Sequence, residues 1–146
     1  MLVLNLPQFD YRIVQKKGVI YIFDTVRKIE LKLTPEEWVR QHYINYLVDH
    51  LHYPKSLIRS ELGLHYHKKA KRADIIVYSG QDAKPLILVE CKAPFIKITD
   101  RTLQQASLYC SQLKPTYLVL TNGLQHFHYK IGNEVEAIAN LPSYDQ

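Results

Sequence analysis

The chain has 146 residues, enough for one hydrophobic core, and its 47% apolar and 23% charged residues are those of an ordinary globular domain. No apolar run approaches the roughly 20 residues that span a bilayer, and two cysteines, Cys91 and Cys110, make neither a metal finger nor a disulfide framework. The 19 Lys and Arg outnumber 14 Asp and Glu, and the net charge of +5 favours a polyanionic partner without naming one.

The stretch from Met1 to Pro7 lacks a basic leader and a long apolar run, so the cytoplasm is the expected compartment. Tyr11–Val14 and Val19–Phe23 flank Gln15-Lys-Lys-Gly18, a hairpin turn in which Gly18 supplies positive φ. Lys28–Leu33 alternates as a third short strand, so residues 1–33 read as a β-rich extension. Thr34-Pro-Glu-Glu37 is a helix start: Thr34 caps, Pro35 fits the first position and Glu37 completes a capping box. The helix is predicted to reach His50 or Leu51, with Ile44, Leu47, Val48 and Leu51 on one stripe. Glu37 falls on that stripe and Glu36 beside it.

Leu57–Leu62, Ile75–Tyr78 and Leu86–Val89 carry strand signals, and the unbroken apolar runs of the last two predict strands covered on both faces. His67-Lys68-Lys69-Ala-Lys71-Arg72 reads as a basic loop. A second helix is predicted from Thr99 or Asp100 to Leu113, with Leu103, Ala106, Cys110 and Leu113 inward and Pro115 stopping it. Tyr117–Thr121, the turn Asn122-Gly123 and Leu124–Tyr129 follow, and the tail beyond Ile138 is expected to be irregular. Helix, three strands, helix, two strands is an α/β sandwich on a mixed sheet, with a core over 34–138 and a tail over 139–146.

Glu90-Cys-Lys92 carries the chemistry. On a strand, residues two apart share a face about 7 Å apart, so the carboxylate and the ammonium project together while Cys91 turns into the opposite layer. Asp74 opens the preceding apolar strand; if the two strands pair as a hairpin, it comes beside Glu90 and Lys92. Two carboxylates, with the backbone carbonyl of Cys91, suit Mg²⁺ or Mn²⁺, which polarises a phosphate and activates water. Lys92 can orient or deprotonate that water and steady charge in the transition state. An acid-x-lysine on a strand is more often a solvated face, and an Asp before a strand more often a turn residue. Three charges around buried β-structure make idleness less attractive.

Arg72-Ala-Asp74, then Leu88-Val-Glu90-Cys-Lys92-Ala-Pro94, resembles the PD-(D/E)XK nuclease signature, and more narrowly the N-terminal nuclease domain of type I restriction enzyme R subunits. Gln105-Ala-Ser-Leu-Tyr109 resembles the Q-x-x-x-Y motif of such enzymes, Thr34–Arg40 their first core helix, and Thr121-Asn-Gly123 the turn after their fourth core strand. The resemblance covers about residues 34 to 131 and implies a restriction-endonuclease-like sandwich, two helices flanking the mixed sheet. It implies Asp74 and Glu90 as metal ligands, Lys92 as the water-handling residue and Glu37 as an auxiliary acid, unless Glu37 only caps its helix. Gln105 and Tyr109 would position the catalytic strand or the DNA backbone, or merely pack.

Glu61 is a further candidate ligand or a solvent-facing acid. Lys68, Lys69, Lys71 and Arg72 are candidate phosphate contacts, with a solvated loop as the alternative. R subunits carry an ATP-driven translocase after the nuclease. This chain stops at Gln146 and has no phosphate-binding Gly-rich loop, so ATP use is not expected here. The expected partners are DNA and restriction-modification subunits, with no membrane; the β-rich extension would cover a sheet edge or make a homodimer. The alternative is a catalytically silent nucleic-acid-binding or assembly module on the same fold.

Overall fold

The computed structural model describes residues 2–60, 62–66 and 69–144, and of 62–66 and 69–73 the backbone alone. Strands β1 (Ile13–Lys16), β2 (Val19–Asp24) and β3 (Ile29–Lys32) form a three-stranded antiparallel sheet. The expected hairpin turn joins β1 to β2, with Lys17 at φ 51° and Gly18 at φ 79°, the paired positive values that a two-residue turn of matching twist requires.

Helix α1 (Pro35–Asp49) begins where the sequence predicts, the Glu37 amide donating to Thr34 Oγ1 at 3.0 Å. Its burial departs from a single stripe, because every residue from Trp38 to Ile44 is buried. The cause is a second covering layer. Trp38 Nε1 donates to the Leu2 carbonyl at 2.8 Å, and Phe9 and Tyr11 meet His42 and Trp38 edge-on at 4.8 and 5.1 Å. The N-terminal segment thus packs on the face of α1 that the stripe left to solvent.

The main sheet has the order β11-β10-β9-β8-β7-β4. It comprises β4 (Ile58–Arg59), β7 (Ile75–Tyr78), β8 (Pro85–Cys91), β9 (Tyr117–Thr121), β10 (His126–Ile131) and β11 (Val135–Ile138). Neighbours are antiparallel except β8 and β9, which run parallel and are joined through helix α2 (Asp100–Leu113). Ile75, Val77, Ile87, Val89, Cys91 and Val119 pack in one core with Val39, Tyr43, Ile44 and Leu47 of α1. Ile76, Leu88, Leu118 and Leu120 pack on the other face with Leu103, Ala106, Cys110 and Leu113 of α2. Both faces are covered, so the strands read as unbroken apolar runs. This is the expected α/β sandwich on a mixed sheet.

Three details differ from expectation. Leu57–Leu62 is not one strand: β4 ends at Arg59, and β5 (Leu62–Tyr66) pairs with β6 (Lys69–Ala73) in a separate ribbon. Lys69, Lys71 and Arg72 therefore lie on a strand rather than in a loop. A two-stranded ribbon rests on backbone pairing, and lysine is a common residue of exposed strands, so the basic run hides the strand from a hydrophobic pattern. Strand β11 adds an edge that its mostly exposed residues did not announce. Among the described residues no helix is long and apolar enough to cross a membrane.

Candidate active site

Asp74 sits at a bend between β6 and β7, and the ladder that pairs Ile75 with Val89 sets it beside Glu90. Its Oδ2 accepts the Cys91 amide at 2.7 Å, tying the acid to the strand that carries the other two groups. Lys92 Nζ lies 3.6 Å from Glu90 Oε1, and the Lys92 amide donates to the Thr121 carbonyl of β9 at 2.8 Å. Cys91 points into the α1 core and is fully buried. Glu90 and Lys92 open onto a recess of about 140 Å³ whose α2 wall includes Gln105 and Tyr109, so the helix brings both to the acid–lysine pair. Asp74 opens onto a second recess, of about 320 Å³, shared with Thr34, Glu36, Glu37 and Arg40 at the start of α1.

Among the described side chains the two carboxylates are under-compensated. Burial pushes Asp74 well above the ordinary carboxylate range, the charge of Glu90 adds to it, and the Cys91 amide opposes it. Glu90 is pushed up to about 7, by burial first, with Lys92 opposing and the negative charge of Glu36 adding. Its Oε2 is buried without a hydrogen-bond partner among the described residues. The Tyr109 hydroxyl is raised to about 12 by burial and then by the charges of Glu90 and Asp74, so it remains protonated beside the recess it shares with Glu90.

Such a mouth fits a hard divalent cation. Mg²⁺ is commonly held by one or two carboxylates with water and substrate phosphate completing the shell. The orphaned Glu90 oxygen is an open ligand position. Among the described residues no group of three or more His, Cys, Asp or Glu side chains could hold a metal, so a cation here would have this pair with backbone and solvent oxygens as its donors.

Glu37 and Glu36 divide differently from the helical-wheel expectation. Glu37 accepts from Arg40 Nη2 at 2.6 Å, Arg40 Nε at 3.1 Å and Gln41 Nε2 at 2.7 Å, and Asp24 of β2 accepts from Arg40 Nη2 at 2.8 Å. The carboxylate of Glu37 is thus held back on α1. Glu36 is the acid of that turn whose charge reaches Asp74, Glu90 and Lys92. Sequence reasoning passed over Glu36 and Arg40. An Arg three residues after an inward Glu is the signal that the Glu is already paired. Glu61 and Lys68 lie outside the described residues. Lys69, Lys71 and Arg72 lie on β6, which packs near β8.

A fragment described as an HsdR subunit of a type I restriction enzyme from Vibrio vulnificus YJ016 has a similar structure, with TM-score 0.56 and 18% identity over 76% of this chain. The chain spans 24% of that structure's length. A structure described as a nuclease belonging to DUF820 from Anabaena variabilis ATCC 29413 aligns at TM-score 0.49 and 14% identity, covering 95% of this chain and 85% of the other. A comparison with curated proteins gives no match. The model described as type I restriction enzyme R protein N terminus matches residues 35–143, and with most of its length matched the chain belongs to that family.

Proposed function

We propose that the chain is a metal-dependent nuclease domain that hydrolyses DNA phosphodiester bonds, as part of a restriction-modification assembly. The observation that carries this reading is the convergence of two largely buried carboxylates, Asp74 and Glu90, with Lys92 at 3.6 Å from Glu90. Asp74, Glu90 and the Cys91 carbonyl would hold Mg²⁺ or Mn²⁺, which supplies Lewis-acid polarisation of the phosphate and a more acidic bound water. Lys92 Nζ orients the attacking water and donates to a phosphate oxygen as negative charge builds there. Glu36 and Glu37 at the start of α1 flank the same mouth, Glu36 as the nearer charge and Glu37 as the partner that fixes Arg40. Gln105 and Tyr109 wall the mouth from α2 and present neutral donors to the substrate backbone. Lys69, Lys71 and Arg72 on β6, with Lys68, supply salt-dependent phosphate contacts, and Glu61 is a further candidate metal ligand.

The test is cleavage of plasmid and single-stranded DNA with Mg²⁺ or Mn²⁺, beside Lys92→Ala. Activity is expected to need the metal and to fall by about 10²–10³-fold in the variant with folding intact. Salt-dependent DNA binding without cutting, indifferent to Lys92→Ala, would instead identify a silent binding module on a nuclease fold.

A further inference from the structure

Lys92 is followed at once by a loop whose shape is fixed and whose apolar side chains are left in water. The Ile96 amide donates to the Ala93 carbonyl at 2.9 Å, and Asn122 Nδ2 donates to the Ile96 carbonyl at 2.9 Å. Asn122 is itself buried, and its Oδ1 accepts the amides of Leu124 and Gln125. On this stiff loop Phe95 is 76% exposed. A large aromatic ring held out from a braced backbone loses little conformational freedom on binding, which suits a stacking platform.

The ring forms one wall of an open cleft of about 630 Å³, with Pro94, Pro35, Trp38 and Leu124 among the others. The lining offers almost nothing polar. The Trp38 indole N–H is taken by Leu2, and Thr34 Oγ1 already accepts from Glu37. The cleft adjoins the candidate site: Thr34 lines both it and the recess of Asp74. Phe95 follows Lys92 by three residues, at most about 11 Å of chain. Lys32 and Lys97 are exposed; Lys32 precedes Leu33 of the cleft lining and lines the Asp74 recess, and Lys97 follows Phe95 by two residues. A purely apolar protein segment has no use for flanking cations, whereas a polynucleotide needs an apolar slot for its base and cations for its phosphates.

We propose that the Phe95 cleft takes an unpaired nucleobase next to the phosphate held at Lys92, so that the substrate is single-stranded or locally unpaired DNA, stacked without reading of base identity. This rests on the nuclease reading of Asp74, Glu90 and Lys92. A base within a duplex is stacked and cannot enter a slot of this kind.

Binding measured by fluorescence anisotropy in EDTA, where no cutting occurs, tests it. The probes are a labelled single strand, the same strand with abasic positions, and the duplex. Phe95→Ala is expected to weaken single-strand binding about tenfold, Phe95→Trp to restore it and Phe95→Leu to fail to restore it. The abasic strand should bind as weakly as the intact strand binds Phe95→Ala, and duplex binding should not respond to Phe95. Full restoration by Leu, undiminished binding of the abasic strand, or equal loss on the duplex would each overturn the proposal in favour of an apolar protein-docking face. Phe95 is exposed, so thermal melting should show the variants folded. Base-dependent binding in a protein that never cuts would refute the nuclease reading alone; cutting indifferent to Phe95 would refute the cleft alone.

Discussion

Two charged clusters flank the start of α1, and their compensation is opposite. In one, Asp24 is fully buried yet accepts the Val26 and Arg27 amides on Oδ1 and Arg40 and Gln41 on Oδ2, while Glu37 shares the same Arg40 and Gln41. Burial alone would raise its pKa; the Arg27 amide, the charge of Arg40 and the Gln41 amide outweigh that and hold it below the ordinary value. In the other cluster, Asp74 and Glu90 are largely but not fully buried; among the described residues they have fewer donors and one close ammonium, and both are pushed upward. Buried acids matched by hydrogen bonds and a guanidinium belong to architecture. Buried acids left short of positive charge form a place where a cation can bind, and such sites are functional candidates.

The largest expected effect comes from breaking the matched cluster. Arg40→Met would leave the buried Asp24 and the largely buried Glu37 without their cation, and a loss of about 3–5 kcal/mol in urea unfolding is expected. Lys92→Met removes the close cation of the other cluster, but Lys92 is 29% exposed and its partner already favours protonation, so the loss should stay under about 1 kcal/mol. Equal losses in the two variants would abolish the distinction.

The clusters should also part company with pH. Asp24 has a lowered folded pKa, so its contribution is present above the unfolded value of 3.8 and is lost as pH falls through the folded value. Glu90 runs the other way: its folded pKa of about 7 exceeds the ordinary glutamate value of 4.5. Its contribution is full below the unfolded value and is lost as pH rises through 7. In metal-free protein, Tm should fall on the order of 5 °C between pH 5 and pH 8. Glu90→Gln should flatten that decline and leave the acid limb unchanged. A decline that survives both Glu90→Gln and Asp74→Asn would mean that the excess charge resides outside this pair.

The sequence carries the second cluster better than the first. Asp74, Glu90 and Lys92 lie on two adjacent short apolar strands, so the period-2 pattern and one assumed hairpin suffice to bring them together. The Asp24–Arg40 pair joins residues 16 apart in two different layers, and no local period links a strand-end acid to a helix interior. The same layer hid the all-round burial of α1: nothing in residues 35–49 announces that Leu2, Phe9 and Tyr11 will cover them. The β5–β6 ribbon was equally illegible, because its strands rest on backbone pairing rather than on an apolar alternation.

Tyr109 gives the smallest and most discriminating effect. It lines the recess of Glu90 from α2, and the charges of Glu90 and Asp74, after burial, raise its pKa to about 12. The ring also packs in the α2-side core with Ala106 and Leu118. Tyr109→Phe keeps that packing and removes only the O–H, so Tm should scarcely change. If the hydroxyl donates to substrate or to a water at the mouth, metal-dependent cleavage should drop by about two- to tenfold, the worth of one neutral hydrogen bond. Tyr109→Leu should lower both Tm and cleavage, because packing and donor go together. Should Tyr109→Phe cut DNA at the wild-type rate, the tyrosine would be a wall of the core, and the contribution of α2 to the mouth would pass to Gln105, whose side chain lines the same recess.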